Sequence, residues 1–108
     1  MVAVARFEPI RSLGFAGISG TYAAVGTPAE KLGRIICMSN NTQGDLLFST
    51  DGVEDHIFIA AGSFKLYDIQ ANMNTNYDDR YVLPVGLQFY VKQITAPTSG
   101  SVYVEVLY

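Results

Sequence analysis

Residues 34–70 read RIICMSNNTQGDLLFSTDGVEDHIFIAAGSFKLYDIQ, and the fold turns on how this stretch is parsed. Four apolar runs, at 35–38, 46–48, 57–59 and 64–69, alternate with polar turns that each contain a glycine. None is long enough for a stable helix, and all are rich in β-branched or aromatic residues, so each reads as a strand. Four successive strands with tight connections predict a meander or part of a Greek key, which cannot bury its apolar face alone. The rest of the chain is therefore expected to supply a second sheet. Strands 46–50 and 56–60 are expected to form a hairpin through Asp51-Gly52, because Asp-Gly supplies the positive φ angles such turns need. The connection exceeds two residues, so a bulge is expected there.

Downstream, residues 71–86 carry Asn and Asp with no apolar period and read as the longest loop. Residues 87–94 resume as a strand, with Leu87, Phe89 and Val91 on one side and Gln88, Tyr90 and Lys92 on the other. After the turn at 95–100, Val102, Val104 and Val106 alternate with Tyr103, Glu105 and Leu107 in the cleanest strand of the chain. Upstream, residues 1–20 show little periodicity. Gly14, Gly17, Gly20 and Gly26 make 1–26 an N-terminal arm ordered against a neighbour, or a weak edge strand near 20–25. Thr27-Pro28-Ala29-Glu30 has the form of a helix start, with Thr27 as N-cap, Pro28 at N1 and Glu30 closing a capping box. Gly33 limits it to a turn or two. The expected fold is all-β: a single antiparallel β-sandwich over 27–108, jelly-roll or Ig-like, with six to eight short strands and at most one short helical turn.

The chain has 108 residues, enough for one two-layer domain. Charged residues make up 16%, against roughly 25% in typical soluble domains, which suggests that partner subunits cover part of the surface. A net charge of −3 with scattered Lys and Arg argues against nucleic acid as a partner. No apolar run approaches the ~20 residues that span a bilayer. Arg6, Glu8 and Arg11 interrupt any signal-peptide layout. One cysteine excludes an internal disulfide and makes a reducing compartment the default.

Chemistry-bearing residues are few. Cys37 and His56 are the single thiol and the single imidazole, but Cys37 lies between Ile36 and Met38 and is expected to pack as a small hydrophobe. Asp45, Asp51, Glu54 and Asp55, and again Asn74, Asn76, Asp78 and Asp79, offer hard oxygen ligands without EF-hand spacing, and read as solvated turns. The glycines of 14–20 do not form a phosphate loop, and Asn40-Asn41-Thr42, though it fits a glycosylation acceptor, reads as a polar turn. No catalytic residue, metal or cofactor is expected. The seven tyrosines carry more information. A tyrosine facing outward from a strand offers apolar area together with a hydroxyl, as contact surfaces require. Phe15, Tyr22, Tyr77, Tyr81, Tyr90 and Tyr103 are the interface candidates.

The run Ile35-Ile36-Cys37-Met38-Ser39-Asn40-Asn41-Thr42, then Leu46-Leu47-Phe48-Ser49-Thr50-Asp51-Gly52, resembles small virion proteins of tailed bacteriophages. So does the strand start Ala61-Gly62-Ser63-Phe64, and so do the closing strands at 86–92 and 97–108. The resemblance covers about two-thirds of the chain and is a pattern of strands and turns. It implies a non-enzymatic structural protein of the virion, a capsid decoration (cement) or head–tail connector protein assembled in the host cytoplasm. Its partners would be copies of itself, in a ring or trimer, and the major capsid or connector protein, with no nucleic acid or membrane. The alternative is a carbohydrate-binding module with Tyr77, Tyr81 or Tyr90 as stacking platforms.

Overall fold

A computed structural model of the chain describes residues 4, 6–69 and 83–108. Their strands are β1 (Arg11–Gly14), β2 (Ala23–Ala24), β3 (Ile35–Thr42), β4 (Leu46–Ser49), β5 (Ile57–Ile59), β6 (Phe64–Asp68), β7 (Tyr90–Gln93) and β8 (Gly100–Leu107). They form two four-stranded sheets, in the orders β1-β8-β3-β6 and β2-β7-β4-β5, with every neighbouring pair antiparallel. The pairs β4·β5, β3·β6, β2·β7 and β1·β8 nest inside one another like the rungs of a single long hairpin whose tip is the 50–56 loop. Rolling that ribbon up adds the contacts β3·β8 and β4·β7 and divides it into two layers. This is the strand order of a jelly roll, built of two Greek keys.

Of the two arrangements expected for residues 34–70, the structure has the Greek key and not the meander. Only β4 and β5 are consecutive strands within one sheet. β3 and β6 belong to one layer and β4 and β5 to the other, so this stretch builds half of each sheet and not the whole of one.

Alternation along each strand fills the space between the layers. Ile36 and Met38 of β3, Leu46 and Phe48 of β4, Ile59 of β5, Val91 of β7 and Val102, Val104 and Val106 of β8 all point inward, joined by Ile18, Val25 and Phe89. The three β8 valines are 0% exposed. The inward row on β3 continues into Asn40 and Thr42, which sequence reading assigns to a polar turn; they are buried strand residues. Asn40 Nδ2 donates to the carbonyls of Gly44 (2.8 Å) and Ile59 (3.1 Å), and its Oδ1 accepts from the Thr42 hydroxyl at 2.7 Å. A buried amide so satisfied costs little and fixes the corner where the chain leaves one sheet for the other. The turn itself is tight because Gly44 lies against the Thr95 carbonyl oxygen, where any Cβ would collide.

At the opposite end the first strand is shaped by a bulge. Arg6 and Tyr108 exchange backbone hydrogen bonds, and the Glu8 N–H donates to Val106, while Arg11 pairs with Val104. Pro9 and Ile10 therefore both oppose Glu105, the two-against-one count of a β-bulge. Residues three apart in a regular strand face opposite ways. The bulge instead turns both Glu8 and Arg11 inward, where they form a buried ion pair at 3.0 Å. Arg11 also donates to the carbonyls of Thr27 (2.6 Å) and Pro28 (3.0 Å), and Glu8 Oε1 accepts the Glu30 N–H at 2.9 Å. These bonds explain why no helix starts at Thr27. The Glu8–Arg11 pair claims backbone groups of the 27–30 segment, and the Ala29 N–H goes to Leu87. Among the described residues the single helical turn is a 3-10 turn at Phe15–Gly17.

Candidate functional site

The outer face of the β1-β8-β3-β6 sheet is the candidate site, considered as a contact surface. The parity that sends Ile36 and Met38 inward sends Ile35, Cys37 and Ser39 outward. On β8 it does the same for Tyr103, Glu105 and Leu107, and the register brings these side chains into rows. Ser39 lies between Tyr103 and Phe64, Cys37 between Glu105 and Leu66, and Ile35 beside Leu107, which bridges to Phe7. Phe7 is 73% exposed, Phe64 65% and Leu66 58%. An isolated exposed apolar residue is ordinary; here Phe64 and Leu66 share one side of β6, and Phe7 lies on the same face beyond β8 and β3, beside Leu107, which makes the face a candidate contact surface. Cys37, expected in the core, is half-buried on this outer face, because in a strand only every second residue of an apolar run can point inward.

The other sheet carries a polar cluster at the ribbon's tip. Lys92 of β7 lies over the Tyr22 ring, 4.8 Å from its centre, and pairs with Asp55 at 2.9 Å. The Tyr22 hydroxyl donates to the same Asp55 oxygen at 2.6 Å. Burial, then this bond to a carboxylate, pushes the Tyr22 hydroxyl well above the ordinary tyrosine range. The hydroxyl's hydrogen bond, followed by that of Lys92, holds the Asp55 carboxyl below the ordinary range.

Asp51 organises the 50–56 loop. Its carboxylate accepts the N–H groups of Val53 (2.8 Å) and Glu54 (2.9 Å) and the Ser49 hydroxyl (2.9 Å). Those bonds, the backbone ones first, pull its pKa down to about 2. Gly52 beside it has φ of 75°, the positive angle expected of the Asp-Gly turn. The His56 Nδ1 accepts the Thr50 N–H at 3.1 Å, which leaves the proton of a neutral ring on Nε2, 3.8 Å from Asp51 Oδ2. The Asp51 and Asp55 carboxylates are thus tied to their own loop, to Tyr22 or to Lys92. Among the described residues no group of three or more His, Cys, Asp or Glu side chains is arranged to hold a metal ion. Nor is any described helix long and apolar enough to cross a membrane.

The residues singled out from sequence are scattered over this framework. Cys37 lies on the outer face of one sheet and His56 in the loop at the tip of the other, so the fold does not pair them. Tyr103 stands on the candidate face between Ser12 and Ser39. Tyr90 faces out from the other sheet, beside the position a Cβ on Gly52 would take. Tyr22 is held in the Lys92–Asp55 cluster, and Phe15 is exposed on the 3-10 turn. Tyr77 and Tyr81 lie outside the described residues, as do Asn74, Asn76, Asp78 and Asp79. Sequence reading missed Phe7, Phe64 and Leu66. The available signal was that β6 and β8 read equally apolar, and only one of them fits between two neighbours. No family model, curated protein or solved structure matches this chain.

Proposed function

We propose that this chain is a non-enzymatic structural component of a tailed-phage virion, a capsid accessory or head–tail connector protein. It acts by docking on copies of itself and on neighbouring particle proteins. The observation that carries the docking role is the set of exposed apolar side chains on the outer face of the β1-β8-β3-β6 sheet, with Phe7, Phe64 and Leu66 more than half exposed. Water in contact with such a surface is released when a partner covers it, and that release drives association. The jelly roll adds support as an architecture that recurs in capsid proteins and lectins, an analogy of fold and not of site. The phage assignment itself rests on the sequence resemblance of residues 34–108.

The test is the composition of purified particles. Mass spectrometry of gradient-banded virions from a lysate in which this chain is made should find it in a fixed ratio to the major capsid protein. Particles of full density that lack it overturn the reading. A glycan array serves as the counter-test, because saturable binding abolished by Tyr90→Ala would move the protein to the carbohydrate-binding class.

A further inference from the structure

We infer that β6 is a self-pairing edge: a second copy of this chain adds its own β6 antiparallel to it, about a two-fold axis at Leu66. The inference deepens the assembly reading above and rests on it for its setting. Four strands form the rims of the two sheets. β1 has four residues, ends on Gly14 and is cut off from the paired residues before it by the Pro9 bulge; β2 has two residues and β5 three. β6 has five, with neither proline nor glycine, and among the described residues it pairs on one side only, with β3. All five of its residues are exposed. A long, regular, apolar edge of this kind is a template for another strand.

What pairs there follows from the strand's own chemistry. With the axis at Leu66, that side chain meets its copy on the outer side and Phe64 meets Asp68. On the inner side Lys65 meets Tyr67, twice by symmetry. No like charges oppose one another, and each ammonium gains a tyrosine face. Moving the axis to Lys65 would set two ammonium groups opposite each other, and moving it to Tyr67 would leave Lys65 against Ile69. A lysine on the inner side of an edge strand discourages indiscriminate pairing. The register about Leu66 is the one that gives this lysine a partner, which favours a second copy over an arbitrary strand.

The area sets the strength of the contact. Exposures of 65% for Phe64, 58% for Leu66 and 37% for Tyr67 leave a substantial part of each side chain uncovered. At about 200 Å² per side chain of this size, they amount to about 300 Å² per copy and about 600 Å² across the contact. That is below the ~1,200 Å² of a stable specific interface. The pair is therefore a weak, concentration-dependent dimer, strengthened where copies are held close together on a particle.

The test uses two variants of the full chain, Leu66→Lys and Leu66→Glu, at an exposed position that leaves the core intact. Wild-type protein should shift from monomer toward dimer in sedimentation velocity as its concentration rises toward about 1 mM. Each variant alone places like charges on the axis and should dimerise at least about tenfold more weakly, with an unchanged circular dichroism spectrum. An equimolar mixture of the two should recover the dimer. The inference is overturned by a wild type that stays monomeric throughout, by a dimer indifferent to both substitutions, or by a mixture that fails to recover. It is equally overturned if the β6 amides gain exchange protection only with a different particle protein. Any of these leaves the virion reading standing, since that is scored by particle composition.

Discussion

β8 and β6 lie two places apart in the same sheet, and both read in the sequence as apolar strands. β8 runs between β1 and β3, and its alternation resolves into an inner row of three fully buried valines and an outer row that is partly covered. β6 pairs with β3 alone, and every residue of it is exposed, Phe64 and Leu66 included. Apolar character alone therefore does not assign a strand to the core. The face a residue takes, together with whether its strand has a neighbour on each side, decides whether the same kind of side chain is buried in the core or stays exposed.

The comparison breaks most visibly at the start of β8. Gly100 has φ of 87° and lies against the Asn41 carbonyl oxygen, where a Cβ would collide. Gly100→Ala adds backbone strain and overpacking at the most enclosed strand, and should destabilise by about 4 kcal/mol or more in urea unfolding.

Next in size is the buried pair that ties the strand beside β8 to the core. Glu8→Ala strands the Arg11 guanidinium without its carboxylate and should cost about 3–5 kcal/mol. Replacing both residues with leucine should recover little of that loss, because it removes the partners of the Thr27 and Pro28 carbonyls and of the Glu30 N–H. The direct contrast follows. Val104→Ala removes two buried methyl groups and should cost about 2 kcal/mol, whereas Leu66→Ala should change stability by less than about 0.5 kcal/mol. Equal effects at the two positions would mean that Leu66 is not on the exposed outer face.

The smallest effect belongs to the ribbon's exposed tip. The Asp51 carboxyl is held at about 2 in the folded chain, against an ordinary 3.8, so the folded state binds its proton less readily than the unfolded state. Its contribution is fully present above the ordinary value and is lost as pH falls through the folded one. The urea midpoint should accordingly drop between about pH 4 and pH 2, and Asp51→Asn should make that drop shallower.

Much of the strand inventory was legible. The apolar runs at 35–38, 46–48, 57–59 and 64–69 all fall within or against strands of the structure, and the 46–50 and 56–60 segments do form the hairpin through Asp51-Gly52. The inward row of Val102, Val104 and Val106 is also as the alternation predicts. The strand expected over 87–94 is shorter in its regular part, Tyr90–Gln93, although Leu87 and Phe89 do lie on the buried side. β1 is not legible, because Arg-Ser-Leu-Gly is too short to show an apolar period and one of its two inward residues, Arg11 beside Leu13, is a charged one. The candidate face was only half legible: Tyr103 was marked for its type, whereas Phe64 and Leu66 passed as ordinary strand residues.

The sequence by itself determined where the chain is extended, where it turns, and which side of each strand is apolar. Those properties arise within a few residues, from backbone stereochemistry and the two-residue repeat of a strand. The tertiary structure decided which strands are neighbours, and so which apolar rows are covered. Arg11 pairs with Val104 and Ile36 with Val106, contacts between distant parts of the chain that no local pattern encodes. They arise because a ribbon this long can bury its apolar side only by rolling up on itself, and rolling leaves β6 on the outside.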